Sequence, residues 1–433
     1  MKYINKFDTA AEALAATDLI TPQVVYVVEE NSVLVPGDIY PDNTELEIKR
    51  DQGGDLVIEE YIPPFAGLKM TSTGVSTVKV NKMVYQYSNC DVKYSLDDGA
   101  TWTQYGYGTD EVITLQDGES VCLKGLNSSW AHGAPNLNNF ALTGNIKLSG
   151  NIMSLVDDGA CETLVIPAAS MFYELFYGQT AITDISELSL PATTLAQSCY
   201  EHMFSGCTGI TSIPANLLPA TTLATQCCKG MFKGCSGITS IPNGLLPQVS
   251  TVASGCYESM FEGTSITSVD VNLLPATTLA SYCYASMFKN CTLLTNVPTL
   301  PATTIELGCY GSMFQGCTSL TTVPTNYLPG TNVVLNCYSH MFDGCVNLTV
   351  APELNVIAPA VNGCYEYMFY NCAKINYVKC MLSAFHGVYS SVSYMLVGVA
   401  ETGTLVKNPD NTEWGAAGTY WSYPEGWTVQ DAA

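Results

Sequence analysis

Hydrophobic and polar positions follow two different rhythms along this chain. Between Val92 and Tyr105, and again between Val112 and Gly125, they alternate, and alternation predicts strands. Asp97-Asp98-Gly99 and Asp117-Gly118 interrupt these runs as turn signals, so each run reads as a hairpin. From Cys199 the rhythm becomes a block of fixed spacing: Cys-Tyr, then Met-Phe four residues on, then a second Cys eight residues after the first. The first Cys returns at 199, 227, 256, 283, 309, 337 and 364, with periods of 28, 29, 27, 26, 28 and 27 residues. Met203, Met231, Met260, Met287, Met313, Met341 and Met368 keep step. Degenerate end units fit at Met171-Phe172 with Leu175-Phe176, and at Met395-Leu396.

A period in the twenties predicts a solenoid, in which each unit buries its apolar face only against its neighbours and atypical end units act as caps. Within a unit, GITSIP (209–214) or SLTTVP (319–324) predicts a short strand stopped by proline. LPATTLA (190–196) crosses over, and the Cys-Tyr-x-x-Met-Phe-x-Gly-Cys block has helical or 3-10 spacing that turns Cys, Met and Phe inward. Upstream, FDTAAEALAAT (7–17) reads as a short helix capped by Asp8 or Thr9. QVVYVVEENSVLV (23–35) reads as two strands around Glu30-Asn31. Pro63-Pro64 marks a boundary. The expected organisation is therefore an acidic segment over 1–62 and a small all-β, sandwich-like module over 63–150. A repeat array of about eight to nine units follows over 151–400, with a C-terminal cap over 401–433.

The bulk numbers narrow the function classes. The chain has 433 residues and a net charge of −23, and Arg50 is its only arginine. It has no basic face for nucleic-acid phosphates or an anionic bilayer. With 13 % charged residues, most of its surface must be neutral and polar. Residues 1–62 hold 13 acidic and 4 basic side chains, a net of −9. Lys2 and Lys6 are not followed by the apolar stretch of a secretory leader, so folding in a reducing cytoplasm is expected. No apolar run reaches the ~18 residues of a membrane span.

Thirteen of the 18 cysteines occupy the two repeat positions. A metal reading wants clustered Cys or His knuckles, but Cys-x7-Cys is open and histidine occurs only at 132, 202, 340 and 386. A disulfide in every unit is at odds with Thr264, which stands where Cys256 would need a partner. The favoured reading is a ladder of buried free thiols. Vicinal Cys227-Cys228 follows suit, Cys228 replacing the usual tyrosine. Tyr200, Tyr257, Tyr284, Tyr310, Tyr338 and Tyr365 form a second ladder, open to two readings. They could be a stacking platform for sugar rings, or a cover over the core edge with wet hydroxyls, which is the favoured reading. Thr211, Thr239 and Thr321 suit an exposed strand face that meets a polar ligand. Nucleotide, nucleophile-elbow and zinc-protease signatures are missing from the sequence. The acids of the array (Glu201, Glu258, Glu262, Asp270, Glu306, Asp343) are out of register for a glycosidase pair. A non-enzymatic protein without cofactor or metal is expected.

Three resemblances bear on these readings. Ser95, Asp97, Gly99, Thr101 and Trp102 resemble the Asp-box of sialidases, which implies a hairpin-stabilising turn on the outside of a domain. The units resemble the BspA-type leucine-rich repeat of bacterial surface proteins, an aromatic followed by x-x-Cys and then L-x-x-I/V. Phe204 to Cys207 with Ile210 and Ile213, and Phe314 to Cys317 with Leu320 and Val323, match it. Thr264 and Ala351 depart from it. The tail is similar to the terminal segment of such proteins, with Trp414, Trp421 and Trp427 available to cover the last turn. That resemblance implies an α/β leucine-rich repeat solenoid that binds a partner. The leading INKFDTAAEAL…VVYVVEENSV is similar to structural proteins of phages of gut Bacteroidales, including crAss-like phages. This implies a virion fibre or decoration protein, assembled in the host bacterial cytoplasm and displayed on the virion exterior. Residues 1–62 would contact other virion proteins, and the array would meet a host-surface glycan or protein. A homo-oligomer is compatible with this reading; nucleic acid and membrane insertion are not. The alternative is a cell-surface adhesin of a bacterium.

Overall fold

The computed structural model describes residues 65–81, 91–106, 111–128, 139–328, 332–385, 389–415, 417, 419 and 422–433, and four strands before them. The chain divides into two compact units, Met1–Phe65 and Ala66–Ala433. In the first, β1 (Ile4–Lys6), β2 (Val25–Val27), β3 (Glu45–Arg50) and β4 (Leu56–Glu60) form one sheet in that order. The β1/β2 pair is parallel and the β2/β3 and β3/β4 pairs are antiparallel. The helix expected at 7–17 and the turn at Glu30-Asn31 lie outside the described residues.

The second unit begins with β5 (Lys69–Ser72), β6 (Ser76–Val80), β7 (Lys93–Ser95), β8 (Thr103–Gln104), β9 (Ile113–Leu115), β10 (Ser120–Lys124), β11 (Phe140–Thr143) and β12 (Ile146–Asn151). Alternation is real in these strands: Val78 and Val80 of β6 and Met70 of β5 are buried while their neighbours are half-exposed. The β7/β8 hairpin forms as expected. The second expected hairpin does not. β9 pairs with β6, whereas β10 pairs with β5 and β7, so the Asp117-Gly118 turn carries the chain from one sheet to the other. Gly118 N–H is taken by Ser72 O at 2.9 Å, a long-range partner that local turn chemistry does not announce.

The Asp97 turn is held as its motif implies. Asp97 accepts from the Ser95 hydroxyl (2.6 Å), the Thr101 N–H (2.8 Å) and the Thr101 hydroxyl (2.6 Å). These bonds hold its carboxyl down at about 2. Because the folded-state value lies below the ordinary one of about 3.9, the turn gains stability from the ionised form. That gain is complete above the ordinary value and lost as pH falls through about 2. The Asp97 carboxyl resonance is therefore expected to titrate near 2 by NMR; a midpoint in the usual carboxylate range contradicts these bonds.

β12 also pairs in parallel with β13 (Ile182–Ser189), which belongs to the first degenerate repeat. One sheet, in the order β13-β12-β5-β10-β7-β8, thus runs from the β-module into the array, and the boundary expected at 150/151 falls inside β12. The array stacks unit on unit after that. β14 (Thr251–Val252) and β15 (Thr278–Leu279) pair in parallel, and single parallel bridges such as Ser240↔Ser268 and Thr322↔Val350 mark the other strand site. The expected repeat strands shrink to bridges because proline at 214, 242, 298 and 324 has no N–H to extend a ladder. A parallel sheet of β16 (Tyr377–Cys380), β17 (Gly403–Lys407) and β18 (Trp427–Asp431) closes the C-terminal end. Trp427 lies buried over the last turn, with Nε1–H on Ala400 O at 2.7 Å. Trp414 meets Phe385 edge-on at 5.2 Å, and Trp421 lies outside the described residues.

The Cys-Tyr-x-x-Met-Phe block is not helical, and the described residues contain no α-helix, only short 3-10 turns at Ile152–Leu155 and Tyr389–Ser391. This corrects the α/β expectation: the array is built of strands and turns. In the unit of Phe288, φ is positive at Tyr282, Ser286 and Asn290, every fourth residue. The N–H groups split between two destinations. Those of Ala285, Met287, Lys289 and Cys291 bond back three residues as successive β-turns. Those of Tyr282, Tyr284, Ser286, Phe288 and Asn290 reach carbonyls of the next unit at 2.7–3.1 Å. A nine-residue helix would be marginal alone and would leave the neighbouring unit's carbonyls without these donors.

Positive φ every fourth residue also sets the composition. Glycine takes many of these positions (206, 230, 234, 255, 263, 308, 316, 344), where L side chains are strained. At Gly308 there is a second reason: a Cβ would stand 2.5 Å from the ring of Tyr282, which lies across it from the unit before.

Candidate functional site: the exposed faces of the repeat array

The side chains of the block sort into inward ladders. Phe140 of β11 stacks on Phe176, and the column continues through Phe204, Phe232, Phe261, Phe288, Phe314, Phe342 and Phe369. Ring centroids are 5.4–6.1 Å apart and planes within 20°. The β-module thus supplies the first rung of the array's core.

The tyrosines form a parallel column. Tyr257, Tyr284, Tyr310, Tyr338 and Tyr365 stack at 5.8–6.1 Å, while Tyr200 stacks on Phe172 at 5.9 Å. Cys228 breaks the column between Tyr200 and Tyr257. All six rings are at most 2 % exposed. They therefore present no face to a ligand, and the stacking-platform reading is corrected. The expectation of wet hydroxyls fails too: Tyr200 and Tyr257 have buried oxygens without a protein partner. Burial accordingly pushes their phenol pKa values up.

The repeat cysteines are buried free thiols. Each second-position thiol donates to the phenylalanine carbonyl of the preceding unit: Cys207 to Phe176, Cys235 to Phe204, Cys291 to Phe261, Cys317 to Phe288, Cys345 to Phe314 and Cys372 to Phe342. The distances are 2.9–3.2 Å. Thr264 breaks this cross-unit pattern: its hydroxyl donates to Phe261 O of its own unit at 2.9 Å, three residues back. Burial pushes the Cys235, Cys309 and Cys345 thiols up to about 12, so they remain S–H donors at neutral pH, not thiolate ligands or nucleophiles. Titration with a thiol reagent should leave the repeat cysteines unreactive in the native protein and reveal them on unfolding without reductant. If they emerge only after reduction, the ladder is disulfide-bonded.

What reaches solvent is a neutral hydroxyl surface. Thr211, Thr239 and Thr321 are exposed, as are Ser212, Ser240, Thr267, Ser268, Thr295, Thr322 and Thr349. Backbone bonds from Thr267 to Thr239, Thr295 to Thr267 and Thr349 to Thr321 hold this ladder in register. Sequence reading missed a second ladder at Thr221-Thr222, Ser250-Thr251, Thr277-Thr278 and Thr303-Thr304, also exposed and bridged from turn to turn. Its signal was the recurrence of Pro-Ala-Thr-Thr. Also missed was a half-buried column of His340, Tyr367 and Tyr394, whose rings stack at 4.5 and 4.6 Å, with Asp343 on His340 Nδ1 at 2.9 Å.

The acids of the array do not converge. Glu258 and Glu262 pair with Lys229 and Lys233 of the previous unit at 3.3 and 2.9 Å. Burial raises the Glu201 carboxyl, with Ser198 and Lys229 acting against it. Among the described residues no group of three or more His, Cys, Asp or Glu side chains is placed to hold a metal ion. No described helix is long and apolar enough to cross a membrane.

Comparison with known families agrees with this geometry. The family model for the BspA type leucine rich repeat region matches in six copies, over residues 173–286, 218–349 and 281–384. No curated protein matches the chain. Stacked turns, inward Cys and Phe columns and six matching copies lead to one conclusion: from residue 173 to 384 the chain carries BspA-type leucine-rich repeats.

Proposed function

We propose that this chain is a non-enzymatic binding protein whose repeat solenoid presents its hydroxyl ladders to a glycan or protein on a bacterial surface. The observation that carries the reading is the pairing of a rigid, fully packed core with two exposed, uncharged Thr/Ser ladders held in register by the backbone. Binding is also what leucine-rich repeats of this family generally do. As the setting we propose the exterior of a phage virion, on the resemblance of the leading segment to phage structural proteins. The acidic residues 1–62 are the part we assign to docking, because a net of −9 suits a basic socket and attachment would weaken with salt. The alternative setting, the surface of a bacterial cell, draws its support from the family of the repeats.

Mass spectrometry of purified particles separates the two. The virion setting expects this chain in particles at a fixed ratio to capsid proteins, and expects a chain lacking 1–62 to be absent from them. Recovery in the cell-envelope fraction instead favours the adhesin setting. Full occupancy of particles by the shortened chain places docking elsewhere.

A further inference from the structure

The repeat departs from its own pattern twice at one corner, and the two departures meet. In most units the crossover reads Leu-Pro-Ala-Thr-Thr, and its alanine is buried: Ala192, Ala220, Ala276 and Ala302 are at most 1 % exposed. The unit with the 29-residue period reads Leu246-Pro247-Gln248-Val249-Ser250-Thr251, one residue longer, with no small residue to fill the corner. The extra residue is absorbed in a tight turn, Val249 N–H to Pro247 O at 2.9 Å, which leaves Gln248 exposed. One unit later, Asp270 stands where Pro214, Pro242, Pro298 and Pro324 stand elsewhere.

Gln248 and Asp270 line the same cleft, of about 220 Å³, with Asn243 and Asn272 beside them and Leu246 and Leu273 below. Gln248, Gly244 and Leu246 are shared with a second cleft of about 250 Å³, which extends the first past Pro219 and Thr221. Gly244 has positive φ and open space where a Cβ would be, so its backbone is free to be approached. Asp270 spends one carboxylate oxygen on the Asn272 N–H at 2.7 Å, and Gln248 spends one amide N–H on Leu246 O at 3.3 Å.

We propose that this double cleft binds one or two units of a neutral carbohydrate chain. The inference deepens the recognition reading above and rests on it. Three amides and a carboxylate offer both donors and acceptors to sugar hydroxyls, and two leucines give the C–H face of a ring an apolar floor. Each cleft is too small for a drug-sized ligand and suits a single ring. No lysine lines either cleft and the whole chain carries −23, so sialylated or uronic-acid chains are repelled. Units with Ala at the position of Gln248 and Pro at that of Asp270 lack these two polar groups.

The test uses the full chain against a panel of neutral di- and trisaccharides of glucose, galactose, mannose and N-acetylglucosamine, read by saturation-transfer NMR and calorimetry. At least one member should bind, and N243A with N272A should weaken it tenfold or more. N216A, at the repeat position of Asn272 but outside the clefts, should leave binding unchanged, and melting curves establish that all variants are folded. Saccharide binding that ignores N243A and N272A overturns the cleft but leaves the recognition reading standing. Failure of every neutral saccharide overturns the carbohydrate assignment, as does binding of calcium alone that is lost in D270N.

Discussion

Replacing Phe288 by alanine is expected to cost about 3–5 kcal/mol of stability, the range for truncating a fully buried aromatic. Phe288 is 0 % exposed and stacks on Phe261 at 6.0 Å and Phe314 at 5.8 Å. The cavity thus opens in the middle of a column, where neither neighbour can fill it without giving up its own partner. The carbonyl of Phe288 accepts the thiol of Cys317 at 3.2 Å, so any backbone shift that relaxes the cavity strains a second contact. Chemical denaturation followed by circular dichroism measures the loss. Leu293→Ala, in the same unit and about half exposed, is the control and should change stability by less than about 0.5 kcal/mol. A cost below ~1 kcal/mol for Phe288→Ala would place the Met-Phe pair outside the core.

Deleting the β-module is expected to destroy the array. A fragment starting at 151 loses Phe140 from above Phe176, and loses β12 from beside β13. That uncovers the end of the aromatic column together with eight residues of strand edge, Ile182–Ser189. Solenoids need polar terminal caps to remain soluble, and bare strand edges recruit other chains. Residues 151–433 should therefore aggregate or melt without cooperativity, whereas 66–433 should run as a folded species by size exclusion. A folded, soluble 151–433 fragment would mean that the module is not needed as a cap and that β13 closes the array by itself.

Most of the array's register was readable from the sequence because it rests on identity at fixed spacing. The Cys, Met and Phe positions and both degenerate end units needed only a period. The helix expectation failed for a physical reason. Apolar residues at 199, 200, 203, 204 and 207 satisfy a 3.6-residue period and a 4-residue turn period equally well over nine positions. The deciding signal was present but different in kind: Gly230 and Gly234, or Ser286 and Asn290, recur four apart where a helix would want alanine or glutamate. The tyrosines were misjudged because an amphipathic side chain is assumed to keep its oxygen in water, and stacking between units outweighed that at Tyr200 and Tyr257. The turn at Asp117-Gly118 was read correctly as a turn. Its strands went to separate sheets because partner choice depends on long-range contacts that local sequence does not encode, such as Ser76↔Leu115 and Ser120↔Thr71. The hydroxyl ladders were half-read, since Thr211, Thr239 and Thr321 stood in a predicted strand while the Pro-Ala-Thr-Thr corner was taken only as a crossing. The cleft at Gln248 and Asp270 lies where the repeat breaks its own rule, and the 29-residue period was its trace in the sequence.

The most direct test of the central claim, that the repeat array is the recognition surface, is a competition measurement. Fluorescently labelled full-length chain is bound to intact cells of the bacterium from which it comes or in which it is made, and unlabelled fragment 66–433 is added. The account predicts that this fragment displaces the labelled chain as effectively as the unlabelled full-length protein does. Failure of 66–433 to compete, with displacement by a fragment of residues 1–65, would contradict it and move recognition to the acidic N-terminal unit.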